Sequence, residues 1–191
     1  VLERGWLSDV WPLQYARKFL PTLDHVVSEE PDDMTREYLN HLVYVVRETN
    51  ARRGPVVEIA KSYAEMERIH AEGKIAIIHT IEGAHSLNGN LDNLDDFHRR
   101  GVSAMIVPHM YPNEACYSCA NAIPEDTILR KIGCFQQTFC PDKGLTPWGR
   151  ELIDKMLDIG MIVDMTHGTP TFRREVLDIA GDDRERPVGG E

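Results

Sequence analysis

The chain has 191 residues, 42% of them hydrophobic, 27% charged and 7% aromatic, with 31 acidic side chains against 21 basic ones and a formal net charge of −10. That is enough apolar sequence for one globular core, and so acidic a surface weighs against a nucleic-acid partner. No apolar run approaches the roughly 20 residues of a membrane span, no charged-then-apolar leader opens the chain, and four cysteines are too few for a disulfide scaffold.

In chain order, residues 1–30 read as irregular surface structure carrying Trp6 and Trp11. After Pro31-Asp32-Asp33, the positions Met34, Tyr38, Leu42 and Val46 share one helical stripe, which predicts a helix of about 15 residues. Ser62 with Glu65 has the form of a capping box that opens a helix through Met66 and Ile69, and Gly73 stops it. The β-branched run Ile75–Ile78 then reads as a strand buried on both faces. Leu91, Leu94 and Phe97 mark the next helix, with Asp92, Asp95 and Asp96 as its solvated face rather than a calcium loop. Gly101 ends that helix and Ala104–Val107 is the second strand.

Residues 108–144 lack periodicity and are long for a βα connection, as functional loops are. Thr146-Pro147 then caps a third helix with Leu152, Ile153, Met156 and Leu157 inward and a Glu151–Lys155 pair on its surface. Gly160 stops it, and Met161–Val163 is the third strand. A fourth helix is predicted over 170–180, with Phe172, Val176 and Leu177 inward and Gly181 after it. Helices alternating with doubly buried strands mean a parallel α/β sheet with right-handed crossovers. A further strand is due at Arg186-Pro187-Val188, and three strands cannot close a barrel, so other segments are expected before and after this chain.

In parallel α/β folds, ligands meet the carboxyl ends of the strands. Those ends carry His79-Thr80-Ile81-Glu82-Gly83, Pro108-His109 and Asp164-Met165-Thr166-His167-Gly168. Carboxylate oxygen and imidazole nitrogen are the donors of hydrolytic zinc sites. Each candidate also has a plain structural reading: Glu82 as a salt-bridge partner, His109 and His167 as satisfied core histidines. His79 and His85 flank Glu82 and are left open between ligand and support, while His25, His41, His70 and His98 read as surface residues. Cys116 and Cys119 form a CxxC with Cys134 and Cys140 further along, compatible with zinc, disulfides or free thiols.

The stretch Gly73–Leu87, GKIAIIHTIEGAHSL, and the stretch Gly144–His167, GLTPWGRELIDKMLDIGMIVDMTH, resemble two signatures of the renal or membrane dipeptidase family of the amidohydrolase superfamily, and Gly101–His109 is similar to a histidine-bearing strand between them. The resemblance implies a (β/α)₈ TIM barrel, incomplete in this chain, which would form one metallo-dependent hydrolase domain over 1–191 with the 108–144 loop above the active-site face. It implies two zinc ions and cleavage of small dipeptides by a metal-bridged hydroxide. Glu82 matches the bridging carboxylate, His167 a metal histidine, and His109 the histidine that polarises the scissile carbonyl. The family's His-x-Asp pair has no counterpart before residue 60, and Gly189-Gly190-Glu191 stands where a second metal histidine is expected. A non-catalytic homologue, or an amidohydrolase acting on another small amide, is the alternative. The resemblance is compatible with a homodimer, and a cytoplasmic location is favoured over a periplasmic or extracellular one.

Overall fold

The computed structural model describes residues 30–109, 112–119 and 143–182. The expectations for Trp6, Trp11, His25, Cys134, Cys140 and the strand after Arg186 lie outside those residues. Helix α1 (Pro31–Arg53) begins with proline at its first turn beside Asp32 and Asp33 and ends in Arg52 and Arg53, charges that suit the helix dipole at both ends. It is longer than the apolar stripe predicted, extended by good helix formers such as Arg47, Glu48 and Arg52. Its buried face is also different: Met34, Thr35 and Leu39 are buried, whereas Tyr38 and Leu42 are exposed. Polar anchoring sets that rotation. Arg36 binds Asp32 and Asp33 on its own helix and reaches Asp96 at 3.0 Å, and the Thr35 hydroxyl donates to Pro31 O at 2.8 Å, so it can be buried without loss.

Strand β1 (Val57–Ile59) has only three residues and was not among the predicted strands. The Asn50 side chain holds its start, accepting from Val56 and Val57 N–H and donating to Val57 O. Helix α2 (Tyr63–Ala71) opens as predicted, with Glu65 N–H on the Ser62 hydroxyl at 3.2 Å, although the Glu65 carboxylate accepts from Lys61 N–H, one residue earlier than a reciprocal box would have it. The predicted run 75–78 is interrupted at Ile78, giving β2 (Ile75–Ile77) and β3 (His79–Glu82). Nor is it buried on both faces, since Ile75 and Ile78 are exposed.

A single turn of 3₁₀ helix (Ala84–Leu87) follows, then α3 (Asp92–Arg99), β4 (Val102–Ile106), α4 (Pro147–Asp158), β5 (Ile162–Asp164) and α5 (Pro170–Asp182). Thr146 caps α4 through Gly149 N–H at 3.0 Å. Leu177 on α5 is exposed, and Gly181 lies inside that helix rather than beyond it. The described strands pair in parallel, β1 with β2 and β3 with β4 with β5. Leu94 and Phe97 of α3, Met105 of β4, Leu152 and Met156 of α4 and Phe172 of α5 close the core on the helical side, each fully buried. Each such side chain contributes about 1.5–3 kcal/mol.

The acidic face of α3 is more than a solvated surface. Asp96 accepts from both Arg36 and Arg100, and Asp95 binds Lys155 of α4 at 2.7 Å, so Lys155 turns to α3 instead of pairing with Glu151. His79, at the start of β3, is 3% exposed, and burial, with the Lys61 charge adding a smaller push, holds its imidazole below its ordinary pKa. The unfolded chain therefore binds a proton more readily than the folded one. Stability from this source is complete above pH 6.5 and falls as the pH drops below that value. Thermal unfolding of the metal-free protein at pH 7.5 and 5.5 should show a smaller acid-induced drop for His79→Leu than for the parent; equal drops would clear His79 of this role.

Candidate active site

The three predicted residues come from the carboxyl ends of three adjacent strands. Glu82 is the last residue of β3, and the pairing with β4 continues past it, with Gly83 N–H on Ile106 O at 2.7 Å and Ala84 N–H on Val107 O at 3.0 Å. Gly83 has φ +96°, and a Cβ there would lie 2.3 Å from His85 Nδ1 and 3.2 Å from His109 Cβ. Only glycine lets the backbone pass between the His85 ring and the His109 side chain. His85 is thus buried support beneath the strand end, while His79 sits at the opposite end of the same strand, away from Glu82.

At the end of β4, Val107 N–H donates to Asp164 O at 3.3 Å, and His109 follows Pro108. At the end of β5, Asp164 accepts from Thr166 N–H at 2.8 Å, a bond that holds its carboxyl below the usual range. Gly168 N–H then closes a turn on Met165 O at 3.0 Å. His167 occupies the third position of that turn with φ +66°. Positive φ at that position suits glycine or asparagine. A histidine there costs of order 1–3 kcal/mol, a kind of strain that clusters at functional sites.

These ends bring the side chains together. His109 Nε2 lies 3.3 Å from Glu82 Oε2, and the His109 and His167 rings meet edge to face with centroids 5.7 Å apart. Glu82 is open to solvent, its side chain 66% exposed, while that of His109 is 20% exposed. Burial, with a smaller contribution from His167, holds the His109 imidazole below its ordinary pKa, and the Glu82 carboxylate opposes that shift. A neutral imidazole facing a carboxylate carries its proton on the facing nitrogen, so Nε2 is assigned as the donor.

Residues 112–119 pack against the same end of the sheet. Asn113 donates to Val107 O at 2.9 Å and accepts from Ala115 and Cys116 N–H. Isolated antiparallel bridges join Cys116 to Leu145 and Ser118 to Gly168. The CxxC is not a paired thiol site. Cys116 is free, 1% exposed, its thiol pushed up by burial to about 12, whereas Cys119 is disulfide-bonded. Zinc takes thiolate, which such burial suppresses. Asn113 and Ser118 belong to no motif and stand among the more conspicuous cysteines; Pro112-Asn113 is the turn signal that marks this stretch in the sequence.

The donor chemistry of Glu82 and His167 fits zinc, one carboxylate oxygen and one imidazole nitrogen, and His109 beside them supplies a hydrogen-bond donor. Among the described residues no group of three or more such side chains is close enough to hold an ion. A complete shell therefore needs donors from outside them.

A family model described as membrane dipeptidase (peptidase family M19) matches residues 22–182. Dipeptidase tcpJ of Claviceps purpurea (strain 20.1) is 29% identical over 124 residues, 65% of this chain and 25% of that protein. Dipeptidase 3 of Homo sapiens is 26% identical over 125 residues, 62% of this chain and 23% of that protein. The match thus spans about a quarter of the length of these curated relatives. Among solved structures, an amidohydrolase from Pseudomonas aeruginosa superposes with a TM-score of 0.61 at 18% identity, covering 77% of this chain and 38% of that one. A metallo peptidase from Rhodobacter sphaeroides, liganded with a phosphinate mimic of the dipeptide L-Ala-D-Ala, gives 0.57 at 21%, covering 73% and 35%. The fold is part of a (β/α)₈ barrel.

Proposed function

Because this chain belongs to the membrane dipeptidase family, peptidase family M19, we propose that it is one part of a single zinc-dependent hydrolase domain that cleaves small dipeptides. The observation that carries the reading is the meeting of Glu82, His109 and His167 at the carboxyl ends of β3, β4 and β5. The dipeptide mimic seated in the Rhodobacter sphaeroides relative supports the substrate class. In this reading residues 112–119, within the predicted 108–144 loop, lie on the active-site face. The disulfide at Cys119 favours an oxidising compartment, where such bonds persist, against the cytoplasmic location the sequence favours.

Glu82 and His167 would hold zinc together with donors from other strands. Bound zinc lowers the pKa of a coordinated water toward neutrality and polarises a carbonyl. His109 Nε2–H faces the Glu82 carboxylate in the cleft, from where it can be shared with the oxygen that gains charge as the scissile carbonyl becomes tetrahedral. Its partial burial strengthens that bond, because little water competes for the donor. The exposure of Glu82 leaves the substrate a path to the strand ends.

In the full-length protein, exhaustive chelation should abolish hydrolysis of simple dipeptides, and added zinc should restore it. Undiminished turnover with metal confirmed absent would remove the metallohydrolase reading. Tight zinc binding without turnover of any dipeptide would replace the substrate while leaving the metal site.

A further inference from the structure

Resting on the hydrolase reading, we propose that Ser118 is a positioning residue that sets the spacing of His109 and His167. Its side chain is fully buried, and its hydroxyl faces two backbone carbonyls, those of His109 and His167 themselves. The contact with His109 O is close, and His167 O lies at 3.3 Å. One hydroxyl proton serves both acceptors. The backbone beside it completes the clamp: Ser118 bridges Gly168, and Cys119 N–H donates to His167 O at 2.7 Å.

The position of this clamp gives it its role. Backbone pairing between β4 and β5 runs as far as Val107 N–H on Asp164 O, before either histidine is reached. Beyond that point the two strand ends leave the sheet, and His167 enters a backbone region that a side chain rarely adopts unless neighbours hold it there. Ser118 ties both departing ends to one atom, so the distance between the two imidazoles follows from the distance between two carbonyls on one hydroxyl. Ser118→Ala removes that atom with little change of volume and takes this hydroxyl from both carbonyls. The imidazoles would then keep their identities and lose their registration.

The test uses the full-length protein as Ser118→Ala and Ser118→Thr. Zinc affinity is read by chelator competition, kcat and KM on a dipeptide at saturating zinc, and amide hydrogen exchange at Cys119 and Gly168 in the metal-free form. Ser118→Ala should bind zinc about tenfold more weakly, the lower end of what losing a group behind a metal ligand costs. It should also lower kcat about tenfold, leave KM within about twofold, and speed exchange at both amides. Ser118→Thr, which keeps the hydroxyl, should recover most of each loss. A merely structural role would lower thermal stability without moving zinc affinity or kcat. A folded Ser118→Ala within twofold of the parent in both therefore overturns the proposal. Should neither variant fold, a crystal structure of the zinc-loaded parent decides: the Ser118 hydroxyl within hydrogen-bond reach of both carbonyls upholds the clamp, and a hydroxyl turned from them refutes it. If the parent neither binds zinc nor cleaves a dipeptide, the hydrolase reading fails. The exchange rates still report whether Ser118 holds the two ends.

Discussion

His109→Ala in the full-length protein is expected to lower kcat for a dipeptide by about 10²–10³, equivalent to about 2.7–4 kcal/mol, while zinc content stays at the parent level. The ring lies against Glu82 at 3.3 Å and against His167 edge to face, close enough to both for its donor to share their cleft. Burial favours its neutral form, which offers an N–H to developing negative charge without bringing a competing cation to a metal site. Alanine removes that donor and leaves Glu82 and His167 in place. Elemental analysis beside steady-state kinetics separates the roles: a variant that loses a zinc ion along with its activity would show His109 to be a ligand.

Gly149→Ala should cost about 3 kcal/mol of stability, at the upper end of overpacking losses. A Cβ at this position would lie 1.9 Å from Ala115 O and 2.8 Å from the carbon behind it. Both are backbone atoms, with no rotamer by which to escape. The surroundings are tied as well, because Thr146 donates to Glu114 O through its hydroxyl at 2.6 Å and to Ala115 O through its N–H at 2.8 Å. The sign is what makes the measurement decisive. In a helix interior without that neighbour, alanine in place of glycine would stabilise by about 1 kcal/mol. Urea unfolding of the metal-free protein should show a lower midpoint; a higher one would mean that Glu114–Cys116 does not rest on the first turn of α4.

Legibility from sequence followed the range of the interaction. Ser62, Gly73, Gly101, Thr146 and Gly160 act within a few residues, and each occupies the cap or stop position the sequence assigned. The strand ends could be found because βα alternation marks where a strand must stop, and three motif residues from separate segments meet there. What could not be read depends on partners distant in sequence. The rotation of α1 is set by Arg36 reaching Asp96, which no periodicity within 31–53 reveals. Leu177 continues an apolar stripe yet faces outward, since the core contact of α5 is already made by Phe172 and Val176. Strand β1 is too short to show an alternation, and its start is held by Asn50 from the preceding helix. Ser118 resembles any loop serine until the two carbonyls it joins are seen.

The spacing of paired strands along the chain bears on how this architecture tolerates new material. Thr80 pairs with Ala104, 24 residues on, whereas Ala104 pairs with Ile162, 58 residues on. Loop-closure entropy grows only with the logarithm of length, so bringing β5 to β4 across the longer span costs about 0.8 kcal/mol more than bringing β4 to β3. Insertions into the long connection are therefore cheap for the barrel, and doubling its length again would add only about 0.6 kcal/mol. The cost of variation there falls instead on the bonds of its described residues: Asn113 to Val107, Ser118 and Cys119 to the carbonyls of His109 and His167, and Leu145 N–H to Glu175. A new segment grafted beyond Cys119 would leave those bonds, and the sheet that carries the strand ends, unaltered.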